Sequence, residues 1–112
     1  MATTFAHTKY KSVIWTLTAS QNGDAFEYAK LADKTVQMFG TFGGTVTMQG
    51  SNDPRVVTDA GNAVWSTLTD NNGGSIALTA AGMRLIAENP TFIRPSVGVG
   101  VTAVTIAIQA TE

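Results

Sequence analysis

The sequence predicts an all-β domain, a jelly-roll-like antiparallel β-sandwich of about eight short strands. Composition is the first observation, because 17 threonines and 11 glycines among 112 residues suit half-exposed strands joined by tight turns. The second observation is an alternation of apolar and polar residues near both ends of the chain. The third is a turn signal at intervals of roughly eight to twelve residues, which is typical of sandwiches and jelly rolls.

Two strands are predicted most clearly. Near the start, Val13, Trp15 and Leu17 alternate with more polar neighbours, so they form one apolar face. Near the end, the same alternation runs over residues 101–110 and places Val104, Ile106 and Ile108 on an inward face. The opposite face of this last strand is small and neutral.

Glycine, asparagine and proline divide the rest of the chain. Residues 22–23, Asn-Gly, predict a hairpin turn, and the glycines of residues 40–44 predict another. Pro95 lies inside the apolar run of residues 92–97, so that run is predicted to be an edge strand or a strand broken in two.

Only one segment favours a helix. Met83, Ile86 and Ala87 recur at helical spacing, and Thr79 is a suitable N-cap. We therefore predict one short helix near residues 79–88, although Gly82 weakens it by about 1 kcal/mol relative to alanine.

The length of the chain suits a single domain. We expect residues 1–11 to form an N-terminal arm or a first strand, and residues 12–112 to form the sandwich. No apolar run approaches the roughly 18 residues of a membrane span, and the start does not read as a signal peptide. We therefore expect no membrane association.

The charge balance argues against nucleic acid as a partner. Seven basic and eight acidic residues leave no basic excess, whereas nucleic-acid binders usually carry one. Charged residues make up only 13% of the chain. Such a weakly charged exterior favours association with a protein partner.

The inventory of reactive residues argues against catalysis. His7 is the single histidine, and the absence of cysteine excludes disulfides and the usual zinc sites. Residues 70–73 lack the spacing of a calcium loop. Residues 98–103 match a dinucleotide-binding fingerprint formally, but a strand pattern follows where that motif needs a helix. We predict a non-enzyme with no catalytic, cofactor or metal site.

The aromatic residues mostly occupy strand positions where core packing is the default. Lys9 and Lys11 flank Tyr10 and form a local basic cluster, and the first 23 residues contain no acid. Two interpretations stay open: a solvated arm, or an arm that docks on an acidic partner surface.

Three segments resemble a pattern found in small virion proteins of tailed phages. They are residues 46–53 (VTMQGSND), residues 64–70 (VWSTLTD) and residues 89–95 (NPTFIRP). In size and in its Thr/Ala/Gly bias, the chain resembles the cement (decoration or staple) proteins of phage capsids. Relative to that pattern, the residues between Asp53 and Val64 are an insertion.

This resemblance implies a viral structural protein, made in the host cytoplasm, that binds the major capsid protein on the outside of the capsid and staples neighbouring subunits. It implies no cofactor. We expect a homo-oligomer, with a dimer preferred and a trimer as the alternative. The candidate capsid contacts lie in the arm and in the insertion: Phe5, Lys9, Tyr10, Lys11, Arg55 and Asp59.

Two other functions stay open. The Gly-Ser-Asn-Asp and Trp pattern also resembles discoidin-like, galactose-binding sandwiches, so a carbohydrate- or host-surface-binding module of a virion is the alternative. A tail or head-completion component would share the fold and differ only in its location.

Overall fold

The computed structural model describes residues 10–27 and 32–111, with side chains from Ser12 onward in the first range. In these residues nine strands follow one another: β1 (Tyr10–Leu17), β2 (Phe26–Glu27), β3 (Ala32–Thr41), β4 (Val46–Ser51), β5 (Ser66–Thr67), β6 (Ala77–Leu78), β7 (Gly82–Leu85), β8 (Phe92–Val97) and β9 (Ala103–Thr111). A single-turn helix, α1 (Arg55–Thr58), and a 3-10 helix (Ala60–Asn62) lie between β4 and β5.

The strands form two antiparallel sheets. The first sheet has the order β1-β9-β3-β7, and the second has the order β2-β8-β4-β5, with β6 also paired to β4. The chain crosses repeatedly from one sheet to the other, and this strand order is that of a jelly roll. The predicted all-β sandwich is therefore confirmed.

The alternation of the last strand explains the core of the first sheet. β9 pairs with β1 on one side and with β3 on the other, so that Ile106 lies opposite both Trp15 and Met38. All three side chains are buried. Each large apolar side chain buried in this way stabilises the fold by about 1.5–3 kcal/mol.

The second sheet supplies the other half of the core. Its inward residues include Val46 and Met48 of β4 and Ile93 and Val97 of β8, all of them buried. Ile76 is also fully buried, and its carbonyl accepts a hydrogen bond from the Met48 amide at 3.0 Å. The two inward faces thus meet in a single hydrophobic cluster.

The predicted helix near residues 79–88 is wrong. Residues 82–85 form β7, which pairs with the free edge of β3, and the Ile86 amide continues the ladder by donating to the Lys34 carbonyl at 2.9 Å. Met83 is 56% exposed while Ile86 is buried, so the residues at helical spacing do not share a face. The unpaired backbone groups of β3 outweigh the weak local preference for a helix.

The predicted hairpin turns are also wrong. Asn22 bridges to Ser96, and the Gly23 amide donates to the Pro95 carbonyl at 2.9 Å. A Cβ atom on Gly23 would lie 2.6–2.7 Å from Pro95 and Trp15, so this glycine permits close packing. The glycines of residues 40–44 connect β3 to β4, which lie in different sheets, and therefore form a crossover rather than a hairpin.

Pro95 neither breaks its strand nor places it at an edge. β8 runs unbroken between β2 and β4. Because the Pro95 carbonyl accepts from Gly23, the proline nitrogen faces the irregular segment before β2 and not the ladder with β4. The missing N–H is thus tolerated inside the sheet.

Gly40 provides a test of the crossover. It has a φ of +130°, and an added Cβ would lie 2.4 Å from the Ala103 carbonyl oxygen. We expect Gly40→Ala to lower the free energy of unfolding by about 2–3 kcal/mol in urea denaturation. Gly61→Ala is the matched control: nothing lies within 4 Å of its added Cβ, so a change within about 0.5 kcal/mol is expected. Equal effects of both substitutions would contradict the strained crossover.

Candidate interaction surfaces

The outer side of the first sheet carries no charged side chain over residues 12–16, 35–39, 82–85 and 105–109, while Asp33 lies beyond this region, beside Thr111. We call it the neutral face, formed by the outward residues Ser12, Ile14, Thr16, Thr35, Gln37, Phe39, Met83, Leu85, Thr105, Ala107 and Gln109. Several large apolar members are exposed, among them Ile14 at 66%. Covering such a surface removes apolar area from water without desolvating a charge. The core of a protein–protein interface is typically depleted of charge in the same way.

The shape of the neutral face follows from strand register. One row across the sheet reads Ile14, Ala107, Gln37 and Met83. Because the small Ala107 lies between larger neighbours, the face has a depression of about 160 Å³ near its centre. The neutral face is therefore concave along this row of residues.

The insertion between Asp53 and Val64 is a second surface, which we call the 53–64 loop. The Asp53 carboxylate closes it, accepting hydrogen bonds from the Arg55 side chain at 2.8–3.1 Å and from the Val64 amide at 3.0 Å. Ser51 reinforces this closure, since its hydroxyl donates to the Val64 carbonyl at 2.6 Å. The ends of the loop are thus held together.

The residues of α1 are not buried, and Val57 is 75% exposed. The Arg55 side-chain hydrogen bonds, followed by the backbone hydrogen bonds from Arg55 and Val64, hold the pKa of Asp53 well below its ordinary range. The ion pair and loop closure therefore persist under mildly acidic conditions. The 53–64 loop therefore exposes the apolar Val57 side chain on a segment whose two ends are held together by Asp53.

The structure separates the predicted capsid contacts. Arg55 and Asp59 both lie in the 53–64 loop, where Asp59 accepts a hydrogen bond from the Asn62 side chain at 2.8 Å. Tyr10 and Lys11 are the first residues of β1, opposite Thr111 and Ala110 of β9. Phe5 and Lys9 lie outside the described residues, as does most of the predicted arm. The role of all six residues in capsid binding stays a prediction.

A groove of about 490 Å³ lies beside the 53–64 loop. Its lining combines the polar residues Ser51, Asn52, Ser66, Thr67, Glu88 and Asn89 with the apolar residues Val64, Leu68 and Pro90. The Glu88 carboxylate accepts hydrogen bonds from the Thr69 amide at 2.9 Å and the Thr69 hydroxyl at 2.5 Å. Although burial raises the pKa of Glu88, these hydrogen bonds hold it below its ordinary value.

Lys34 contacts one residue of this groove, Asn89. Its side chain is fully buried, and its Nζ donates to the Asn89 side-chain oxygen. Desolvation lowers the pKa of Lys34, while the charges of Asp33 and Glu88 oppose that change. Sequence reasoning missed this lysine. The alternation of the strand could have revealed it, because every second residue lies on the same side and Lys34 therefore shares the inward side of β3 with Val36 and Met38.

Both tryptophans are engaged within the domain. Trp15 is buried, and its Nε1 donates to the Asp24 carbonyl at 3.0 Å. The Arg94 guanidinium lies 4.1 Å from the centre of the Trp65 ring, and its Nε donates to the Gln49 side chain at 2.9 Å. Partial burial lowers the pKa of Arg94. Trp15 is therefore inaccessible to a sugar, and one face of the Trp65 ring is covered by Arg94.

No cluster of three or more histidine, cysteine, aspartate or glutamate residues in the described part of the chain has the arrangement needed to hold a metal ion. No helix there has the length and apolarity required to cross a membrane.

No family model matches the chain, and no curated protein matches it at a significant level. Solved structures do share its fold. The SPBc2 prophage-derived protein YomS is 12% identical with a TM-score of 0.66, and the match covers 97% of this chain and 100% of that protein. Weaker likenesses are protein NMB1881 from Neisseria meningitidis (9% identity, TM-score 0.45, 96% and 79% coverage) and the Cnp3 cupin domain of Schizosaccharomyces pombe (9%, 0.47, 98% and 61%).

The closure of the 53–64 loop predicts an unusual titration. We expect the Asp53 carboxyl carbon, followed by NMR, to titrate well below the ordinary aspartate pKa of about 3.9. Because the folded-state pKa is depressed, the stabilisation is present above the unfolded-state pKa and is lost as the pH falls through the folded-state value.

The Arg55→Gln variant should move the Asp53 midpoint back towards the ordinary value, since it removes the strongest hydrogen-bond donor. Arg84→Gln is the matched control. Arg84 lies 3.9 Å from Asp70 instead, so its loss should leave the Asp53 titration unchanged. An Asp53 midpoint at or above the ordinary value in the wild type would refute this description of the loop.

Proposed function

We propose that the protein is a non-enzymatic virion component that binds the exterior of a phage capsid and staples neighbouring copies of the major capsid protein. The observation that carries this proposal is the neutral face, which spans all four strands of the first sheet. A rigid, uncharged sheet surface with exposed Ile14 and Met83 is suited to binding a protein.

Two further observations support a phage role. The segments at residues 46–53, 64–70 and 89–95 resemble those of tailed-phage virion proteins. The YomS structure, which shares the fold over the full length of both chains, is described as prophage-derived. A jelly roll is also a common architecture for capsid-associated domains.

Stapling needs at least two contact surfaces on one rigid body. The neutral face lies on the outer side of the first sheet, and the 53–64 loop follows β4 of the second. If each surface binds a different capsid subunit, the second contact becomes intramolecular once the first has formed. Modest individual contacts then combine into tight attachment, without any new chemistry.

Self-association is part of this proposal. Among the described strands, none pairs with the outer edge of β1. A second copy of β1 running antiparallel would satisfy these main-chain groups and join the two first sheets across a twofold axis. We expect a dimer, which native mass spectrometry detects directly.

The groove beside the 53–64 loop favours a second candidate function, binding of a carbohydrate or host surface. Its hydroxyl, amide and carboxylate groups, including Ser66, Thr67 and Asn89, match the hydrogen-bonding groups of a sugar. A glycan array separates the two functions: specific glycan signals abolished by Thr67→Val would favour the alternative.

The stapling proposal predicts that a charge on the neutral face abolishes attachment. Capsids of the encoding phage, prepared without this protein, are mixed with the wild type or with Ala107→Arg, and bound protein is measured by co-sedimentation. We expect Ala107→Arg to weaken binding at least about tenfold, since an unpaired charge buried in an interface costs more than about 1.4 kcal/mol.

Ala80→Arg is the matched control, because Ala80 is exposed in the bend before β7 and outside the neutral face. It should bind like the wild type. Heat resistance of the capsids supplies a second measurement, and the wild type should raise it. If the wild type neither binds the capsids nor stabilises them, the stapling function is wrong; if both variants bind equally well, the neutral face is not the contact.

A further inference from the structure

A buried amine meets a side-chain amide where the two sheets are connected. Lys34 lies on the inward side of β3, is 0% exposed, and donates from Nζ to Oδ1 of Asn89. Asn89 belongs to the connection between β7 of the first sheet and β8 of the second. The two residues are 55 positions apart in the chain. Their contact therefore ties β3 to the crossover between the sheets.

A single hydrogen bond does not satisfy the donors of a buried ammonium group. An ammonium group has three N–H donors, and among the described residues Asn89 is the acceptor bonded to it. The described ion pairs join other residues, so no carboxylate there lies at ion-pair distance from Nζ. Desolvation lowers the pKa of Lys34 and so increases its neutral, nucleophilic fraction.

We propose that Lys34 and Asn89 react to form an intramolecular isopeptide bond. The lone pair of the neutral Nζ attacks Cγ of Asn89, so the Nζ–Cγ bond forms and the Cγ–Nδ2 bond breaks. Nδ2 leaves as ammonia after taking up one proton from Nζ. No oxidant or other reactant is needed, and the product is a secondary amide with no charge to bury.

Glu88 is placed to stabilise charge during the attack. It precedes Asn89 in the chain, its carboxylate is fixed by the Thr69 amide and hydroxyl, and it interacts electrostatically with Lys34. Its negative charge stabilises the positive charge that develops on Nζ as the Nζ–Cγ bond forms, before one proton passes from Nζ to Nδ2. Rotation about the Cβ–Cγ bond of Asn89 turns one face of its amide plane, and so the carbonyl carbon's open side, towards the amine. Fixed proximity of this kind replaces a slow bimolecular encounter with an intramolecular step.

The surroundings of Asn89 favour completion of the reaction. The Lys34 side chain is buried, whereas Asn89 is exposed and lines the groove beside the 53–64 loop. Ammonia released there escapes into solvent, where dilution prevents the reverse reaction. The bond would form in the free protein, so it does not depend on the proposed capsid role.

Intact-mass spectrometry of the purified wild-type chain tests the bond. We expect a mass below that of the sequence by one ammonia molecule. Tryptic digestion should leave the peptide bond after Lys34 uncut and should yield a branched peptide containing Lys34 and Asn89. A full sequence mass, both as purified and after incubation at alkaline pH, would overturn the proposal.

Variants separate the bond from other sources of mass loss. Asn89→Ala should show its full sequence mass, and a loss of ammonia that persists in this variant would overturn the assignment. Glu88→Gln should remain unlinked or link more slowly, while Asp59→Asn, which removes a carboxylate of the 53–64 loop that does not act on Lys34, should link like the wild type. Circular dichroism confirms that each variant is folded. Linkage of Glu88→Gln at the wild-type rate would overturn the role of Glu88.

Discussion

The pairing of β9 with β1 on one side and β3 on the other is the constraint on which the remaining structure depends. It places Val104, Ile106 and Ile108 against the core, where they are buried. The same alternation directs Thr105 and Ala107 outward, so core formation and the neutral face have one cause. A register slip by one residue would bury the polar set and expose the apolar set, which explains why the register admits no alternative.

A strand could be predicted from the sequence where the alternation of apolar and polar residues is complete within that strand. β9 and β1 are long and alternate without interruption, so their existence and inward faces could be predicted. β7 spans only four residues, too few to reveal a period of two, and it forms because the edge of β3 is available to pair with it. The wrong helix near residues 79–88 and the wrong Asn22-Gly23 hairpin share this origin: a partner distant in sequence decides the local conformation.

The candidate surfaces were predictable to different degrees. The small, neutral side of β9 is visible in the sequence, but its neighbours are not, because strand order cannot be read from alternation. Arg55 and Asp59 were identified because they lie in an insertion, yet their separation from Tyr10 and Lys11 needs the fold. Lys34 was missed because a lysine is normally assumed to be exposed. The sequence did indicate its burial, because Lys34 alternates in step with the apolar Val36 and Met38.

Rigidity connects these features to binding. A surface that is already ordered loses little conformational entropy when a partner covers it, so more of the contact energy remains as affinity. The neutral face is ordered by the ladders of the first sheet, and the 53–64 loop is ordered by Asp53. The contact between Lys34 and Asn89 joins β3 to the crossover that leads into β8. The surfaces on the two sheets are thereby held in a fixed relation to each other.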